Sequence, residues 1–478
     1  MTLQFHNTLT GEIDKFVPLV PKKVSIYTCG PTVYDYPHIG NWVAYIYWDT
    51  LVRTLMANDY EVTRVMNITD VGHLVSDADD GEDKLEKGAR REGKTAWEVA
   101  EFYTEDFLKG MKSLGLIKPQ FIAKATDYIP DQIKLVQKLK DKGYTYQIDD
   151  GIYFDTSKFP TYADFAHLDL DAQKAGARVE FNQQKRNASD FALWKFTPAG
   201  EKRDMEWDFE GKKGFPGWHI ECSAIAMSIL GETLDIHTGG IDHIPVHHTN
   251  EIAQSEAATG FIFSNYWLHN NHLKVNNTKI SKSLGNGYTL KDIQEKGFSP
   301  LDFRMFVLQS NYRKEGNFTF ENLQSAKNRL HNWRNIATLR HQIHDTLQSE
   351  EEKSKNDKTV STLATSQAIV EALNNDLGTP EALKIIDDAF LNLSKASLAN
   401  IDRPALVQLL ETIDSTLGLQ LIDSTPDISD EAKKILLIRK SARERKDWNK
   451  SDELRDELLG LDIVIRDTNQ DTIWEYKS

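Results

Sequence analysis

Residues 22 to 73 alternate a β-rich run, a long apolar helix and a second β-rich run, and this order limits the possible folds more than any other feature. "KKVSIYTCG" (22–30) reads as a strand stopped by the Gly-Pro pair that follows Cys29. "NWVAYIYWDTLVRTLMA" (41–57) suits a helix that is apolar on more than one face and therefore buried. "YEVTRVMNITDVGH" (60–73) reads as the next strand. Strand, helix and strand in so short a span form a βαβ unit, which requires a parallel sheet. Ligands of such sheets gather at the carboxyl ends of the strands, and Cys29 sits at one of them.

The same grammar recurs with an interruption. "KTAWEVAEFYTEDFLKGMKSLG" (94–115) is an amphipathic helix pattern, with Trp97, Ala100, Phe102, Phe107 and Met111 near helical spacing. From about Leu116 to Trp207 the texture becomes loop-rich, and "GYTYQIDDGIYFDT" carries a hairpin signal at Asp149-Asp150-Gly151. This block (116–207) is read as an insertion that divides the α/β domain into 1–115 and 208–265. "CSAIAMSIL" then suits a helix, "LDIHTGG" a strand, "HHTNEIAQSEAAT" a helix, and "YWLHNNHLKVNNTKISKSLGN" a strand leading into a loop. After a connecting region (266–320), Leu323, Ala326, Leu330, Trp333, Ile336 and Leu339 open an all-α bundle (321–418). The polar run at 349–362 reads as a mobile connection. The last unit (419–478) is a small helical piece with a β-like tail.

Composition excludes several classes. No apolar run approaches the roughly 18 residues a membrane span needs, and "MTLQFHNTLTGEIDKF" lacks the features of a secretion signal. A net charge of −15 argues against coating nucleic acid by charge alone, though not against a local basic surface. Two cysteines, Cys29 and Cys222, make a poor disulfide framework, so the expected compartment is the cytoplasm.

Four residues form a candidate metal set: Cys29, Cys222 in "GWHIECSA", and His247 and Glu251 in "VHHTNE". The last two are at i and i+4, on one face of a helix, and zinc accepts thiolate, imidazole and carboxylate in tetrahedral sets. Taken singly, a cysteine is more often a small buried hydrophobe, and a His/Glu pair more often a surface hydrogen bond. Cys29 also admits a reading as a nucleophile, and His248 competes with His247. "PHIGN" (37–41) places His38, Gly40 and Asn41 where a helix opens after a strand, a setting that suits phosphate. "TKISKS" (278–283) offers Lys279 and Lys282 on a loop, where they can follow a polyphosphate or merely be solvated. In "DIHTGGIDH", Gly239 and Gly240 allow close backbone approach, and Asp242 can accept ribose hydroxyls; a tight turn is the plainer reading.

In order, "YTCGPTVYDYPHIG", "NITDVGH", "PGWHIECSA", "DIHTGGIDH", "HHTNE" and "KISKSLGN" resemble the cysteinyl-tRNA synthetases, with "HIGN" and "KISKS" similar to the HIGH and KMSKS pair of class I aminoacyl-tRNA synthetases. The likeness is dense over about the first 290 residues and looser in the C-terminal "RKDWNKSDELRDELLGLDIVIRDTNQDTIW". Asn41 departs from the last histidine of HIGH, and Ile280 replaces the methionine of KMSKS. The resemblance implies a Rossmann-like catalytic domain, a KMSKS-bearing stem-contact region at 266–320, a helical bundle, and an anticodon-binding unit at 419–478. It implies one Zn²⁺ on Cys29, Cys222, His247 and Glu251, holding the substrate cysteine as a thiolate. It implies cysteine contacts from Cys29, Gly30, Thr69, Trp218 and His237. His38, Gly40, Asn41, Gly239, Gly240, Asp242, Lys279 and Lys282 would serve ATP and its Mg²⁺.

Because zinc favours sulfur, serine is rejected without an editing site, and the insertion is read as lacking one. Arg443, Arg445, Lys446 and Trp448, within a basic cluster that includes Lys433, Lys434, Arg439, Lys440 and Lys450, suit contact with tRNA(Cys). The expected partners are thus ATP, L-cysteine and tRNA(Cys), with the chain a monomer. Two rivals are a mycothiol-pathway ligase joining cysteine to an amino sugar, and a non-catalytic RNA-binding paralogue with a structural zinc.

Overall fold

The computed structural model describes residues 2–72, 83–169, 183–281, 284–342, 362–468 and 472–477. Two compact units emerge, one built from Gln4–Asp292 with Tyr312–Gly316 and the other from Ile293–Asn311 and Asn317–Ser478 with the first three residues.

The first unit is built on β1 (Lys23–Thr28), α1 (Ile39–Ala57), β2 (Glu61–Ile68), α2 (Ala96–Ser113), β3 (Phe121–Lys124), α3 (Ile129–Asp141), α4 (Trp218–Leu230), β4 (Leu234–Gly240), α5 (Thr249–Thr259) and β5 (Ser264–Asn270). The five strands form one sheet in the order β5-β4-β1-β2-β3, all parallel. This is the Rossmann-type order, in which connections leave β1 in opposite directions and open a crevice at the carboxyl ends of β1 and β4. Ile26 sits between Arg64 on β2 and Ile236 on β4. Trp42, Ile46, Trp48, Leu51 and Leu55 of α1 are all buried, which explains the helix's lack of a polar face.

The insertion folds as a five-stranded antiparallel sheet in the order Thr145–Ile148, Gly151–Phe154, Phe191–Phe196, Lys212–Pro216, Trp207–Phe209. Its first hairpin closes Ile148 onto Gly151 across Asp149-Asp150. Phe154, Phe191, Leu193 and Phe209 share one core with Leu135 and Leu139 of α3 and Ile220 and Ala224 of α4.

Four expected boundaries move. Phe121–Lys124 pairs with Asn67 and its neighbours in the parallel sheet, so the insertion starts after α3 rather than at 116. Its last strand runs to Pro216, beyond 207, and β5 carries the parallel sheet past 265. Ile293–Asn311 groups with the helical unit rather than with the loop before it. On α2 the buried face is Val99, Ala100, Tyr103, Phe107 and Met111, whereas Trp97 and Phe102 are exposed. Trp97 instead donates its Nε1–H to the carbonyl of Asp204 (3.1 Å).

The second unit contains α6 (Pro300–Leu308), α7 (Phe320–Gln342), α8 (Leu363–Asn374), α9 (Thr379–Lys395), α10 (Arg403–Leu417), α11 (Asp430–Glu444) and α12 (Trp448–Gly460), then the hairpin β6 (Ile463–Asp467) and β7 (Thr472–Tyr476). The expected stripe from Leu323 to Leu339 on α7 is buried. Most of the 349–362 connection lies outside the described residues. Among the described residues no helix is long and apolar enough to cross a membrane.

Candidate metal centre and active site

Four polar side chains converge below the crevice. The donor atoms of Cys29, Cys222, His247 and Glu251 all lie within 4.8 Å of one another. Cys29 follows β1, Cys222 lies in the first turns of α4, and Glu251 opens α5. A single wide π-type turn, Ile244–His248, carries His247. Glu251 spreads its two oxygens: Oε2 is 2.9 Å from Nε2 of His237 and Oε1 is 3.0 Å from Nε2 of His247. Oε1 accepts no hydrogen bond from a described residue. A buried carboxylate oxygen facing an imidazole nitrogen and two thiols is a donor set short of a cation.

Electrostatics agree with that reading. Burial pushes the thiols of Cys29 and Cys222 up, Cys222 strongly, so both favour the protonated form without a cation nearby. Burial alone would raise Glu251 as well, but the imidazoles of His237 and His247 bring it down to about 2. For His247 the attraction of Glu251 and Cys222 outweighs burial and raises its basicity well above the ordinary histidine value.

A second set, Cys29, His237, His248 and Glu251, meets the same distance condition and shares two members with the first. His248 turns its Nε2 toward Sγ of Cys29 (3.4 Å), and its Nδ1 is held 2.7 Å from Nε2 of His269. His269 in turn meets Thr8 Oγ1 at 2.7 Å. Burial and neighbouring imidazoles keep His248 and His269 well below the ordinary histidine value.

The remaining expected residues surround this centre. Trp218, first residue of α4, stacks on the His247 ring at 4.5 Å, and His237 stacks on Trp267 at 4.6 Å. Thr69 is buried and donates to Glu221. Gly30 donates its N–H to Oδ1 of Asn67 (2.7 Å). A Cβ on Gly239 would stand 2.6 Å from Cε1 of His248, so the close approach there is made by histidine rings. Gly240 ends β4, and Asp242 is exposed in the turn after it.

The ATP-side motifs come together on one edge. His38 is the N-cap of α1: its Nδ1 accepts from Asn41 N–H (3.3 Å), while Asn41 Oδ1 accepts from His38 N–H (3.0 Å). Asn41 therefore completes a capping box, a role invisible in its departure from HIGH. Ile39 N–H reaches the carbonyl of Tyr288 (2.7 Å), and a Cβ on Gly40 would lie 2.9 Å from Cδ1 of Ile280. Lys279 is exposed at the start of that loop, and Lys282 lies outside the described residues.

In the C-terminal unit the basic cluster is partly spent internally. Arg439 and Arg443 both donate to Asp467, Lys433 pairs with Asp427 (2.6 Å) and Lys450 with Glu453 (2.9 Å). Arg445, Lys446 and Trp448 are exposed, the indole 55% so.

Residues 15–328 match the model of the class I (C) tRNA synthetase catalytic domain, and 425–474 that of the cysteinyl-tRNA ligase anticodon-binding domain. A cysteine–tRNA ligase of Treponema denticola is 41% identical over 99% of this chain and 100% of its own length. The chain belongs to the cysteine–tRNA ligase family. A second relative, cysteine–tRNA ligase 1 of Burkholderia lata, is 40% identical over 98% of this chain and 96% of that protein. In fold, the chain is similar to methionyl-tRNA synthetase of Mycobacterium tuberculosis bound to methionyl-adenylate (TM-score 0.57, 13% identity, 84% of this chain and 92% of that one). It is also similar to an Agrobacterium radiobacter leucyl-tRNA synthetase in a ternary complex (TM-score 0.60, 12% identity, 87% and 86%). Membership in this family makes the chain an ATP-dependent enzyme with an amino acid and a tRNA as substrates. The anticodon-binding match at 425–474 disfavours the amino-sugar ligase, and full-length likeness to named ligases disfavours a non-catalytic paralogue.

Sequence reasoning left out Asn67, Glu221 and His269. All three are buried polar residues inside quoted motifs, and nothing in their spacing distinguishes them from core positions.

Proposed function

We propose that this cysteine–tRNA ligase selects L-cysteine through a zinc ion on Cys29, Cys222, His247 and Glu251, and charges tRNA(Cys) in two steps. The observation that carries the reading is the convergence of those four donor atoms within 4.8 Å at the sheet's switch point. The set with both thiols is preferred over the one with three nitrogen and oxygen donors, because soft sulfur ligands favour zinc. Bound zinc lowers the pKa of a substrate thiol and bonds sulfur far better than the hydroxyl of serine.

The protein's own groups do the rest by placement. Trp218 and His237 wall the amino-acid side, with Gly30 and Thr69 at its edge. The Gly40 N–H, the Asn41 amide hydrogens, His38 and Lys279, with Lys282 expected from its motif, would serve the polyphosphate and its Mg²⁺ and balance charge as it moves to pyrophosphate. Gly239, Gly240 and Asp242 border the nucleoside. The carboxylate of cysteine attacks the α-phosphorus of ATP, giving cysteinyl-adenylate and pyrophosphate. The terminal ribose hydroxyl of tRNA then takes the cysteinyl group and releases AMP. Little proton transfer is asked of the protein; orientation and electrostatics supply the rate. Arg445, Lys446 and Trp448 meet the anticodon loop, with Arg443 supporting them from its bond to Asp467. The two cysteines are free thiols, which fits a reducing cytoplasm, and the chain acts as a monomer.

Cysteine-dependent exchange of pyrophosphate into ATP tests the reading. Exchange with cysteine and none with serine is expected; absence of exchange with cysteine would sink it.

A further inference from the structure

The loop that follows Lys279 is closed by a side chain the reading above does not use. Lys279 ends a short hairpin in which Leu273–Val275 pairs with Thr278–Lys279, Lys274 facing Lys279. Its turn is Asn276-Asn277, both left-handed at φ 49° and 61°, a two-residue turn that asparagine tolerates and that matches the twist of a hairpin. Strand pairing stops at Lys279, and the carboxamide of Asn286 takes over. Its Oδ1 accepts the N–H of Ser281 (2.9 Å), and its Nδ2 donates to the carbonyl of Lys279 (3.2 Å). The partners settle which amide atom is which, because a main-chain N–H only donates and a carbonyl only accepts.

The residues just after Asn286 are pinned to the opening of α1. Tyr288 gives its carbonyl to the N–H of Ile39 (2.7 Å), and Thr289 bridges to His38. A Cβ on Gly287 would stand 3.5 Å from Cγ2 of Ile280 and 3.8 Å from Cβ of His38, so this stretch lies against both motifs. Asn286 therefore ties the main chain at Lys279 to the frame that carries His38 and Asn41. A lysine side chain has much rotamer freedom to lose, and holding its main chain from two sides limits where its ammonium can go. Only a side chain with both an acceptor and a donor makes this tie. Alanine or leucine offers neither, and ionised aspartate has no donor.

We infer that Asn286 is a positioning residue that holds Lys279 toward the polyphosphate of ATP. The inference rests on the ATP-dependent activation proposed above and adds a residue to it. Lys279 supplies the charge, and Asn286 acts only through Lys279.

The test is a double-mutant cycle on the zinc-loaded full chain, read by cysteine-dependent pyrophosphate exchange and by calorimetric binding of L-cysteine. Wild type, Asn286→Ala, Lys279→Met and the double variant are compared. Two lost hydrogen bonds imply that kcat/KM for ATP falls about tenfold in Asn286→Ala, with cysteine affinity unchanged. In the Lys279→Met background the same change costs less than about threefold, because the lysine it acts through is gone. Additive losses, either single variant as active as wild type, or equal weakening of ATP use and cysteine binding overturns the inference. If Asn286→Ala does not fold, Asn286→Leu, which keeps the bulk of the side chain without its hydrogen bonds, decides the cycle. Failure of wild type to exchange at all strikes the underlying reading instead, so the two failures are distinguishable.

Discussion

Oε1 of Glu251 lies 3.0 Å from Nε2 of His247, yet no described residue gives it a hydrogen bond. A buried carboxylate oxygen is costly unless a cation balances it, and a metal ion shared with His247 would do so. With two thiols inside the same 4.8 Å, the four donors suit the soft divalent ion proposed above.

Metal removal should therefore do more than stop the reaction. Folding the apo-protein leaves Cys29, Cys222, His247 and Glu251 packed without their cation, so chelation should lower the melting temperature and zinc should restore it. Cys222→Ala should weaken zinc binding by more than about a hundredfold, above what loss of an outer partner costs. A chelator competition assay checks this, and undiminished zinc binding in the variant excludes Cys222 as a ligand.

Asn41 is tested through its cap. Because Oδ1 accepts from His38 N–H, Asn41→Ala should cost about 1 kcal/mol and loosen His38, raising the KM for ATP. Asn41→Asp keeps the acceptor and should keep the stability, while its added charge still harms ATP binding. Denaturant melts paired with ATP kinetics separate the two effects.

Much of this site was legible as residue types but not as arrangement. His247 and Glu251 were found because i and i+4 share a helix face. The π-type turn at Ile244–His248, which brings His248 to Cys29 as well, has no period to read. Phe121–Lys124 is only four residues long and carries no alternation, so the edge of the parallel sheet was assigned to the insertion. Trp97 and Phe102 matched a helical spacing yet lie on the outer face, since periodicity does not say which stripe meets the core. Asn67 and Glu221 were missed because a hydrogen bond between residues 154 positions apart leaves no local trace.

Asp70 gives a pH dependence with a definite sign. Burial raises its carboxyl to about 6, despite the hydrogen bonds from Thr126 that work the other way. An unfolded aspartate ionises near 3.9, so between roughly pH 4 and 6 the folded chain holds the extra proton. Stability contributed by this group is thus lost as pH rises through that window. Asp70→Asn should be more stable than wild type at pH 7, with the difference vanishing near pH 4. Thermal melts across that range check it.

Asp467 has the opposite sign. Arg439, then Thr472 and Arg443, outweigh burial and hold its carboxyl far below the usual range. Its contribution is present above the unfolded value near 3.9 and fades as pH falls below it. Asp467→Asn leaves the buried guanidinium of Arg439 unpaired and should destabilise the C-terminal unit by about 3 kcal/mol at neutral pH. Hydrogen exchange of α11 and α12 reads this directly, and unchanged protection there would refute the pairing.

The most direct measurement replaces zinc by cobalt and follows the sulfur-to-metal absorption as amino acids are added. Cysteine should add a thiolate to the metal and intensify that absorption, whereas serine in large excess should leave it unchanged. An identical response to both amino acids, or none to cysteine, would contradict selection of the substrate through its sulfur.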